Sequence, residues 1–255
     1  MILPEEHMGR LDNKIAIVTG SSIGIGKAIA KAFASEGAEV VVVSHNSARE
    51  GNATVKEIVN EGRKAIYIQT DLSNQTGVDV LFHEVSKHYS KVDILVNNVG
   101  HAFATPFEDL SEETMIRDLK SNLLATVLCS KSVRGFMDEG HIINTSSIRG
   151  FDYSGRTQLM GYCAGKAAVN SFTKNLAIEY APKIYVNAIA PGFVWTEALS
   201  KSGDDLINKW LGSIPIKRFI NPEELAEIYI LLATSRIFTG TIITPDGGYT
   251  LLEKN

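Results

Sequence analysis

Short runs of apolar residues alternate along the chain with segments in which apolar residues recur at helical spacing. The run Ile15–Thr19 is rich in β-branched residues and ends in a glycine-rich turn. Residues 28–35 then show the helical spacing, and Gly37 lies just beyond them. Because a glycine just past the last periodic residue is typical of a helix end, this stretch predicts a strand, a turn and a helix in that order.

The same alternation continues to the end of the chain. Further strands are predicted at residues 40–44, 65–69, 94–97, 142–145, 185–190 and 241–244. Further helices are predicted at residues 52–61, 78–89, 111–137, 162–180 and 222–233. Ser111 is a suitable N-terminal cap, with Glu112 and Glu113 in the first turn after it, and Pro222 occupies the first position of the last helix.

Unbroken alternation of strands and helices predicts a mostly parallel sheet with helices on both faces, because each parallel connection crosses over in the right-handed sense. We expect an α/β fold: a single Rossmann-like, doubly wound domain over residues 10–255, with about seven strands. A chain of 255 residues, of which 44% are hydrophobic, can bury one such core. Residues 1–9 show no periodicity and are interpreted as an N-terminal extension.

The composition excludes several classes of partner. The net charge is −4 and no run of lysine or arginine forms a basic stripe, so nucleic acid is not expected. The only cysteines are Cys129 and Cys163, which form no disulfide framework and suit a reducing compartment. No apolar run approaches the roughly 20 residues that cross a bilayer. These observations favour a cytoplasmic protein without a membrane partner.

The turn after the first strand contains Gly20, Gly24 and Gly26 in the pattern T-G-x-x-x-G-x-G. Glycines between a strand and a helix let the backbone approach a pyrophosphate, and the N-terminus of the helix faces its charge. A glycine-rich turn by itself is more often only a tight turn. Because this one lies between a predicted strand and a predicted helix, it indicates a dinucleotide cofactor.

The end of the second predicted strand bears on the choice of cofactor. An acidic side chain there is typical of NAD binding, since it accepts hydrogen bonds from the ribose hydroxyls and repels the extra phosphate of NADP. This chain has no acid at that point and offers Ser44, His45, Asn46 and Arg49 instead. These side chains favour NADP, with Arg49 as a candidate for the 2′-phosphate, and NAD stays open.

Tyr162 and Lys166 lie four residues apart in a predicted helix, so the phenol and the ammonium are expected on one helix face. A free tyrosine has a pKa of about 10, and a neighbouring cation lowers that pKa toward neutrality. The pair is therefore a candidate proton donor and acceptor. The alternative is a surface lysine beside a packed tyrosine, since a chain with eight tyrosines contains such spacings by chance.

Assembled in order, these motifs resemble those of the short-chain dehydrogenase/reductase family over residues 9–249. Residues 19–26 match its cofactor signature, and residues 162–166 match its Y-x-x-x-K motif. Asn97-Asn98-Val99-Gly100 is similar to the family's N-N-A-G turn, and residues 191–196 resemble the segment that lines the nicotinamide. Ser147, Asn122 and Asp71 occupy the places of the family's catalytic serine, helix asparagine and adenine-contacting aspartate.

The resemblance implies an NAD(P)-dependent enzyme that transfers a hydride between nicotinamide and a carbonyl or secondary-alcohol carbon. Tyr162 is expected to exchange a proton with the substrate oxygen, which Ser147 orients. Lys166 is expected to bind the nicotinamide ribose and stabilise the tyrosinate, and Asn122 to hold a water that feeds the lysine. Besides Tyr162 and Lys166, the implied cofactor contacts are Gly20, Ser22, Ile23, Gly24, Ile25, Gly26, Ser44, His45, Asn46, Arg49, Asp71, Leu72, Asn98, Val99, Gly100, Pro191, Gly192, Val194 and Thr196.

The resemblance further implies a homo-oligomer, either a dimer or a tetramer, and no metal site is expected. The segment 148–161 is longer than is common in the family. Its residues Phe151, Tyr153, Arg156 and Met160 are therefore expected to reshape the substrate pocket.

Several substrate classes stay open. The layout resembles that of 3-oxoacyl thioester reductases, although Asp138 and Glu139 disfavour an acidic carrier protein near the site. A small ketone or alcohol is favoured by the aromatic residues Phe103, Phe151, Phe193, Trp195 and Trp210. Oxidation of a sugar or polyol is the alternative, with Arg156, Gln158 and His101 as polar groups. A nucleotide-binding regulator without turnover is the remaining class.

Overall fold

The computed structural model describes residues 9–251 and contains a seven-stranded parallel sheet. The strands are β1 (Ile15–Thr19), β2 (Glu39–Ser44), β3 (Ala65–Gln69), β4 (Ile94–Asn97), β5 (Gly140–Thr145), β6 (Ile184–Ile189) and β7 (Ile242–Ile243). Their order across the sheet is β3-β2-β1-β4-β5-β6-β7. The predicted doubly wound α/β fold is confirmed, and β1, β3 and β4 have the predicted bounds.

Helices cover both faces of this sheet. They are α1 (Gly24–Ser35), α2 (Ala48–Asn60), α3 (Gln75–Ser86), α4 (Glu112–Leu119), α5 (Ala125–Ser132), α6 (Met160–Tyr180), α7 (Glu197–Ser200), α8 (Asp204–Gly212) and α9 (Pro222–Thr234). Alternate residues of each strand face opposite layers: Ala16 and Val18 pack toward α1 and α9, whereas Ile17 packs toward α3 and α5. Both faces are covered, which is why the strands read as continuous apolar runs.

The helix predicted at residues 111–137 is interrupted. Ser111 caps α4 as expected, because its side chain accepts a hydrogen bond from the backbone of Thr114. A π-helical turn, Lys120–Leu124, then separates α4 from α5, and a 3-10 turn, Val133–Gly135, follows α5. The side chain of Asn122 donates to the carbonyl of Asp118 at 3.0 Å, one turn before it, inside this irregular segment. Such π-helical turns are frequent at functional sites.

Two helices between β6 and α9 were not predicted. The helix α7 has only four residues, too few for a periodic pattern. The helix α8 has apolar residues at helical spacing, Leu206, Ile207, Trp210 and Leu211, which are partly buried, so its pattern was present but overlooked. Four helices, α1, α2, α3 and α6, begin two to four residues earlier than expected. In α2 the helix includes Gly51. A side chain at this position would not fit, because its Cβ would lie 2.2 Å from the ring of Tyr67.

The predicted N-terminal extension falls almost wholly outside the described residues, which begin at Gly9. The amide of Gly9 donates to the carboxylate of Asp12 at 3.0 Å. The assignment of one domain to residues 10–255 stays a prediction, because residues 252–255 also lie outside the described part. No helix between residues 9 and 251 is long and apolar enough to cross a membrane. In the same range no three metal-ligating side chains are grouped.

Candidate active site

Two cavities open at the carboxyl ends of the strands. In the strand order, β1 lies between β2 and β4, so the sheet changes winding direction there and leaves a crevice. The larger cavity has a volume of about 1050 Å³ and is lined by residues that follow β2, β3 and β4. The smaller cavity has a volume of about 410 Å³ and is lined by residues that follow β5 and β6 and by the first turn of α6.

The glycine turn after β1 is shaped by its lack of side chains. Gly20 and Gly24 have φ angles of 64° and 56°, a left-handed conformation that glycine adopts without strain. A Cβ on Gly26 would lie 2.2 Å from the carbonyl oxygen of Gly20. Ile23, the N-cap of α1, provides no side-chain cap, and the first turn contains no acid. Uncapped amide groups of a helix N-terminus beside a bare backbone fit the pyrophosphate of a dinucleotide.

The residues after β2 reach the larger cavity in part. Ser44, His45 and Asn46 line this cavity, whereas Arg49 is exposed in the first turn of α2 and is not among the lining residues. Ser44 is buried, and its hydroxyl shares a hydrogen bond of 2.9 Å with the hydroxyl of Tyr67. The structure therefore brings three of the four candidate phosphate ligands to the cavity wall.

Asp71, which follows β3, lies beside His45: its Oδ1 is 3.9 Å from the imidazole Nδ1. Burial raises the pKa of the Asp71 carboxyl, but hydrogen bonds from the amide and hydroxyl of Ser73 and the nearby His45 outweigh burial. The pKa of Asp71 is consequently lowered. Asp71 and its neighbour Leu72 both line the larger cavity, so an ionised hydrogen-bond acceptor faces it.

The turn after β4 is fastened to the glycine turn. The amides of Asn98 and Val99 both donate to the hydroxyl of Thr19, at 2.9 and 3.2 Å. The side-chain amide of Asn98 donates to the carbonyls of Thr19 and Gly20. These bonds connect the glycine turn after β1 to the turn after β4. The two cavities meet beside this second turn, since Gly100 lines both of them.

Asn122 pairs with the peptide groups of the loop that follows Gly100. Its Oδ1 accepts from the amide of His101 at 3.1 Å, and its Nδ2 donates to the carbonyl of His101 at 2.9 Å. A Cβ on Gly100 would lie 2.8 Å from the Oδ1 of Asn122 and 2.9 Å from the Nζ of Lys166. Gly100 therefore allows the buried amide and the buried ammonium to approach the same point.

Ser147, Tyr162 and Lys166 line the smaller cavity together. Ser147 follows β5, and α6 presents Tyr162 and Lys166 from successive turns, as the sequence predicted. The ammonium of Lys166 lies 5.8 Å from the centre of the Tyr162 ring and donates to the carbonyl of Thr145 at 2.7 Å. The phenol, the hydroxyl and the ammonium thus line one cavity.

Burial controls the ionisation of this group. It raises the pKa of Tyr162, while a hydrogen bond with Ser147 and the charge of Arg149 act in the opposite direction. It also lowers the pKa of Lys166 to about 8. The pKa of Tyr162 is therefore raised rather than lowered toward neutrality as expected, because the loss of hydration outweighs the hydrogen bond and the nearby charge.

The segment after β6 forms the opposite wall. Pro191, Gly192, Val194 and Thr196 all line the smaller cavity, and Ile25 from the glycine turn lines it too. The hydroxyl of Thr196 accepts from the amide of Leu199 at 3.3 Å and so caps α7. A Cβ on Gly24 would lie 3.6 Å from the methyl carbon of Thr196, so the glycine turn and this segment face each other closely.

The predicted rim residues lie elsewhere. Phe151, Tyr153, Arg156 and Met160 do not line either cavity. Phe151 and Tyr153 stack on each other with ring centres 5.1 Å apart. Of the aromatic set, Phe193 and Trp210 line the smaller cavity and Phe103 the larger one, whereas Trp195 stacks on Phe219.

Arg149 was not among the predicted site residues, and the structure places it in the wall of the smaller cavity. Arg149 lies in the 3-10 turn Ile148–Gly150, and its amide donates to the hydroxyl of Ser147 at 3.1 Å. The sequence could have indicated Arg149 as a site residue, because this arginine lies two residues after the candidate serine in a segment otherwise typical of a buried strand end.

Comparison with known proteins agrees with this geometry. The profile of the family described as Enoyl-(Acyl carrier protein) reductase matches residues 20–250. The chain is 35% identical over 251 residues to the Arabidopsis thaliana protein named Glucose and ribitol dehydrogenase homolog 2, covering 94% of this chain and 86% of that protein. It is also 35% identical over 246 residues to the 3-oxoacyl-[acyl-carrier-protein] reductase FabG of Aquifex aeolicus, covering 94% and 98%.

A solved structure is similarly close. The short chain dehydrogenase from Burkholderia cenocepacia J2315 in complex with NADP superposes with a TM-score of 0.88 at 31% identity, covering 94% of this chain and 99% of that one.

Proposed function

The chain belongs to the short-chain dehydrogenase/reductase family of NAD(P)-dependent oxidoreductases, and on this premise we propose that Tyr162 is the group that exchanges a proton with its substrate. The observation that carries this proposal is the meeting of Ser147, Tyr162 and Lys166 in one cavity that also borders the glycine turn. The reaction is the interconversion of a carbonyl and a secondary alcohol.

When bound, the nicotinamide cofactor supplies or accepts the hydride at the reacting carbon. In reduction, the Tyr162 phenol gives its proton to the carbonyl oxygen, and in oxidation it takes the proton back. Ser147 donates a hydrogen bond to the same oxygen and keeps it in front of the phenol. The hydrogen bond between Ser147 and Tyr162 supports this arrangement.

Lys166 and Asn122 support the proton transfer by Tyr162. The buried ammonium of Lys166 favours the ionised phenol that remains after the proton has left. Lys166 also binds the nicotinamide ribose. Asn122 keeps the adjoining loop in place through its two hydrogen bonds with the backbone of His101. We assign a water to the space next to Lys166 and Asn122, from which the lysine regains a proton.

For the cofactor, the glycine turn holds the pyrophosphate and the residues after β2 hold the ribose of the adenosine half. NADP is favoured over NAD because no carboxylate follows β2. Ser44, His45 and Asn46 line the cavity at this end, and Arg49 lies one residue into α2. The remaining contacts are assigned to Asp71, Leu72, Val99 and the wall from Pro191 to Thr196.

The substrate is a small molecule that carries a ketone or a secondary alcohol. A 3-oxoacyl thioester or a small ketone is one class and a sugar or polyol the alternative, and relatives named for both kinds of activity are 35% identical to this chain. We place the enzyme in the cytoplasm as a homo-oligomer, a dimer or a tetramer.

The test is the variant Tyr162→Phe, assayed by NADPH oxidation with a panel of ketones and by NADP⁺ reduction with the matching alcohols. We expect turnover to fall by at least about 100-fold, because the proton has no donor, while NADPH still binds with the parent's affinity. Tyr185→Phe is the control, because Tyr185 lies near the amino end of β6, whereas both cavities lie at the carboxyl ends of the strands. Turnover retained by Tyr162→Phe would refute the assignment.

A further inference from the structure

The guanidinium of Arg149 is a buried charge that has no carboxylate partner among residues 9–251. Arg149 is 8% exposed. Its Nη1 donates to the hydroxyl of Ser154 at 3.1 Å, and its Nη2 donates to the hydroxyl of Tyr249 at 3.2 Å. Among residues 9–251, no aspartate or glutamate oxygen lies within 4.0 Å of this guanidinium.

Such an arrangement is unusual for arginine. Buried charges are normally paired, because taking an ion out of water costs far more free energy than neutral hydrogen bonds return. The hydroxyls of Ser154 and Tyr249 supply no negative charge, and they engage only two of the five N–H groups of the guanidinium. The positive charge of Arg149 is therefore not compensated by a negative charge among residues 9–251.

The position of Arg149 indicates where a compensating anion comes from. Arg149 lines the smaller cavity together with Ser147, Tyr162 and Lys166. No aspartate or glutamate is among the described residues that line this cavity, and its two charged side chains are both cations. The nearest turn does contain the buried Asp246, but its carboxylate accepts hydrogen bonds from Gly248 and Thr250.

Aromatic rings hold the guanidinium in place. Its central carbon lies 5.9 Å from the centre of the Phe193 ring and 5.3 Å from that of the Tyr249 ring. Flanking rings reduce hydration around the charge, so an anion that reaches it is attracted more strongly than it would be in water. The same turn carries Ser147, because the amide of Arg149 donates to the Ser147 hydroxyl.

We propose that Arg149 binds a carboxylate of the substrate, and that the enzyme therefore interconverts a short oxo acid and the corresponding hydroxy acid. The planar guanidinium suits a carboxylate, which it can hold through two parallel hydrogen bonds. The substrate is short because the cavity of about 410 Å³ also has to admit the nicotinamide ring. This inference rests on the proposed function of the same cavity.

The alternative is that Arg149 only tethers the loop at Ser154 to Tyr249. The two interpretations differ in what the charge does to selectivity, so the test compares 2-, 3- and 4-oxo acids with their methyl esters. In each pair the reacting carbonyl is the same and only the negative charge differs. In the parent enzyme with NADPH, we expect kcat/KM for the acid to exceed that for the ester by at least tenfold at one chain length.

The variant Arg149→Gln removes the charge and keeps a hydrogen-bond donor. We expect its acid-to-ester ratio of kcat/KM to fall at least tenfold, mainly through a higher KM for the acid. Arg149→Lys keeps the charge without the planar fork and is expected to give an intermediate ratio. Arg156→Gln is the matched control: it makes the same charge change on the same loop, but Arg156 is exposed and lines neither cavity.

A second readout does not depend on turnover. In the presence of NADP⁺, propionate is expected to raise the melting temperature of the parent, whereas propionamide does not. Arg149→Gln is expected to lose the response to propionate, and Arg156→Gln to keep it. This measurement separates a binding role from a tether, because a tether lowers the melting temperature without changing the response to the anion.

The outcomes distinguish the two proposals. Esters reduced as well as acids by the parent, or an unchanged ratio in Arg149→Gln, would overturn the carboxylate site and leave the proposed function standing. No reduction of acids or esters, and none of the neutral ketone panel, would instead contradict the proposed function itself.

Discussion

The ammonium of Lys166 lies 2.7 Å from the backbone carbonyl oxygen of Thr145, the last residue of β5. Lys166 is 3% exposed, and burial lowers its pKa to about 8. The contact joins α6 to the centre of the sheet through a neutral carbonyl rather than a carboxylate. Because the charge is only partly compensated there, the protein holds the lysine close to the point at which it gives up a proton near neutral pH.

The lowered pKa of Lys166 predicts a pH dependence of stability. Between a pKa of about 8 in the folded state and 10.5 in the unfolded state, the unfolded chain binds the additional proton. Stability therefore rises with pH across that window, by up to about 3 kcal/mol for this group. Denaturant unfolding of the parent and of Lys166→Met from pH 7.5 to 10 measures it: the parent's free energy of unfolding should gain on the variant's as the pH increases.

Lys174→Met is the control for this experiment, because Lys174 lies on the same helix and is exposed. The difference between the parent and this control should stay constant over the same range. A constant difference for Lys166→Met as well would show that burial does not lower the pKa of Lys166.

Gly100→Ala should reduce turnover more than stability. The added Cβ would lie 2.8 Å from the Oδ1 of Asn122 and 2.9 Å from the Nζ of Lys166. The lysine is long and can move its end group, so the fold should tolerate the change at a cost of about 1–2 kcal/mol. The displaced ammonium should lower kcat by at least about tenfold, since small misplacements in a reacting group are costly.

Steady-state kinetics and thermal melting of Gly100→Ala check this prediction together. Gly155→Ala is a suitable control, because a Cβ on Gly155 meets no atom within 4 Å. Parent-like kcat in the Gly100 variant, with the melting temperature unchanged, would mean that the approach of Asn122 and Lys166 to this point is not needed for turnover.

The strands were predictable because buried β-branched runs leave a strong pattern. The strand β4 was predicted residue for residue, and β2 and β5 differed only by one or two residues at their starts. The helices α7 and α8 were missed, since α7 has only four residues and the apolar residues of α8 are only partly buried. The predicted elements are therefore those that form the core, whereas the two helices that were missed contribute residues to the wall of the smaller cavity.

The site was predictable as a set of residues but not in its electrostatics. The resemblance supplied Ser147, Tyr162 and Lys166, and all three line one cavity. The raised pKa of Tyr162 depends on burial, which no four-residue spacing contains. Among residues 9–251, the lack of a carboxylate beside Arg149 depends on which side chains the fold brings to the cavity wall, and no local sequence pattern contains that information.

Gly26→Ala should damage both the cofactor site and the fold. A Cβ at this position would lie 2.2 Å from the carbonyl oxygen of Gly20 and 2.6 Å from the side-chain amide of Asn98. The clash with backbone cannot be relieved by a rotamer change, so we expect a loss of at least about 2 kcal/mol in the free energy of unfolding. NADPH binding should weaken by more than tenfold, because the glycine turn must move away from its present path.

Denaturant unfolding and a fluorescence titration with NADPH test the Gly26 variant. Gly135→Ala makes the same substitution in the 3-10 turn after α5, where a Cβ meets no atom within 4 Å, and should leave NADPH binding unchanged. Tight NADPH binding by Gly26→Ala would show that the turn is not the seat of the pyrophosphate.

His45→Asp should shift the enzyme from NADPH toward NADH. His45 lines the larger cavity just after β2, where a carboxylate accepts hydrogen bonds from ribose hydroxyls and repels a 2′-phosphate. The new charge would also lie near the ionised Asp71, so two carboxylates would face the phosphate. We expect the ratio of kcat/KM with NADPH to that with NADH to fall at least tenfold. The control His83→Asp makes the same change on the exposed side of α3 and should leave the ratio unaltered. A parent enzyme that already prefers NADH would contradict the assignment of NADP as the cofactor.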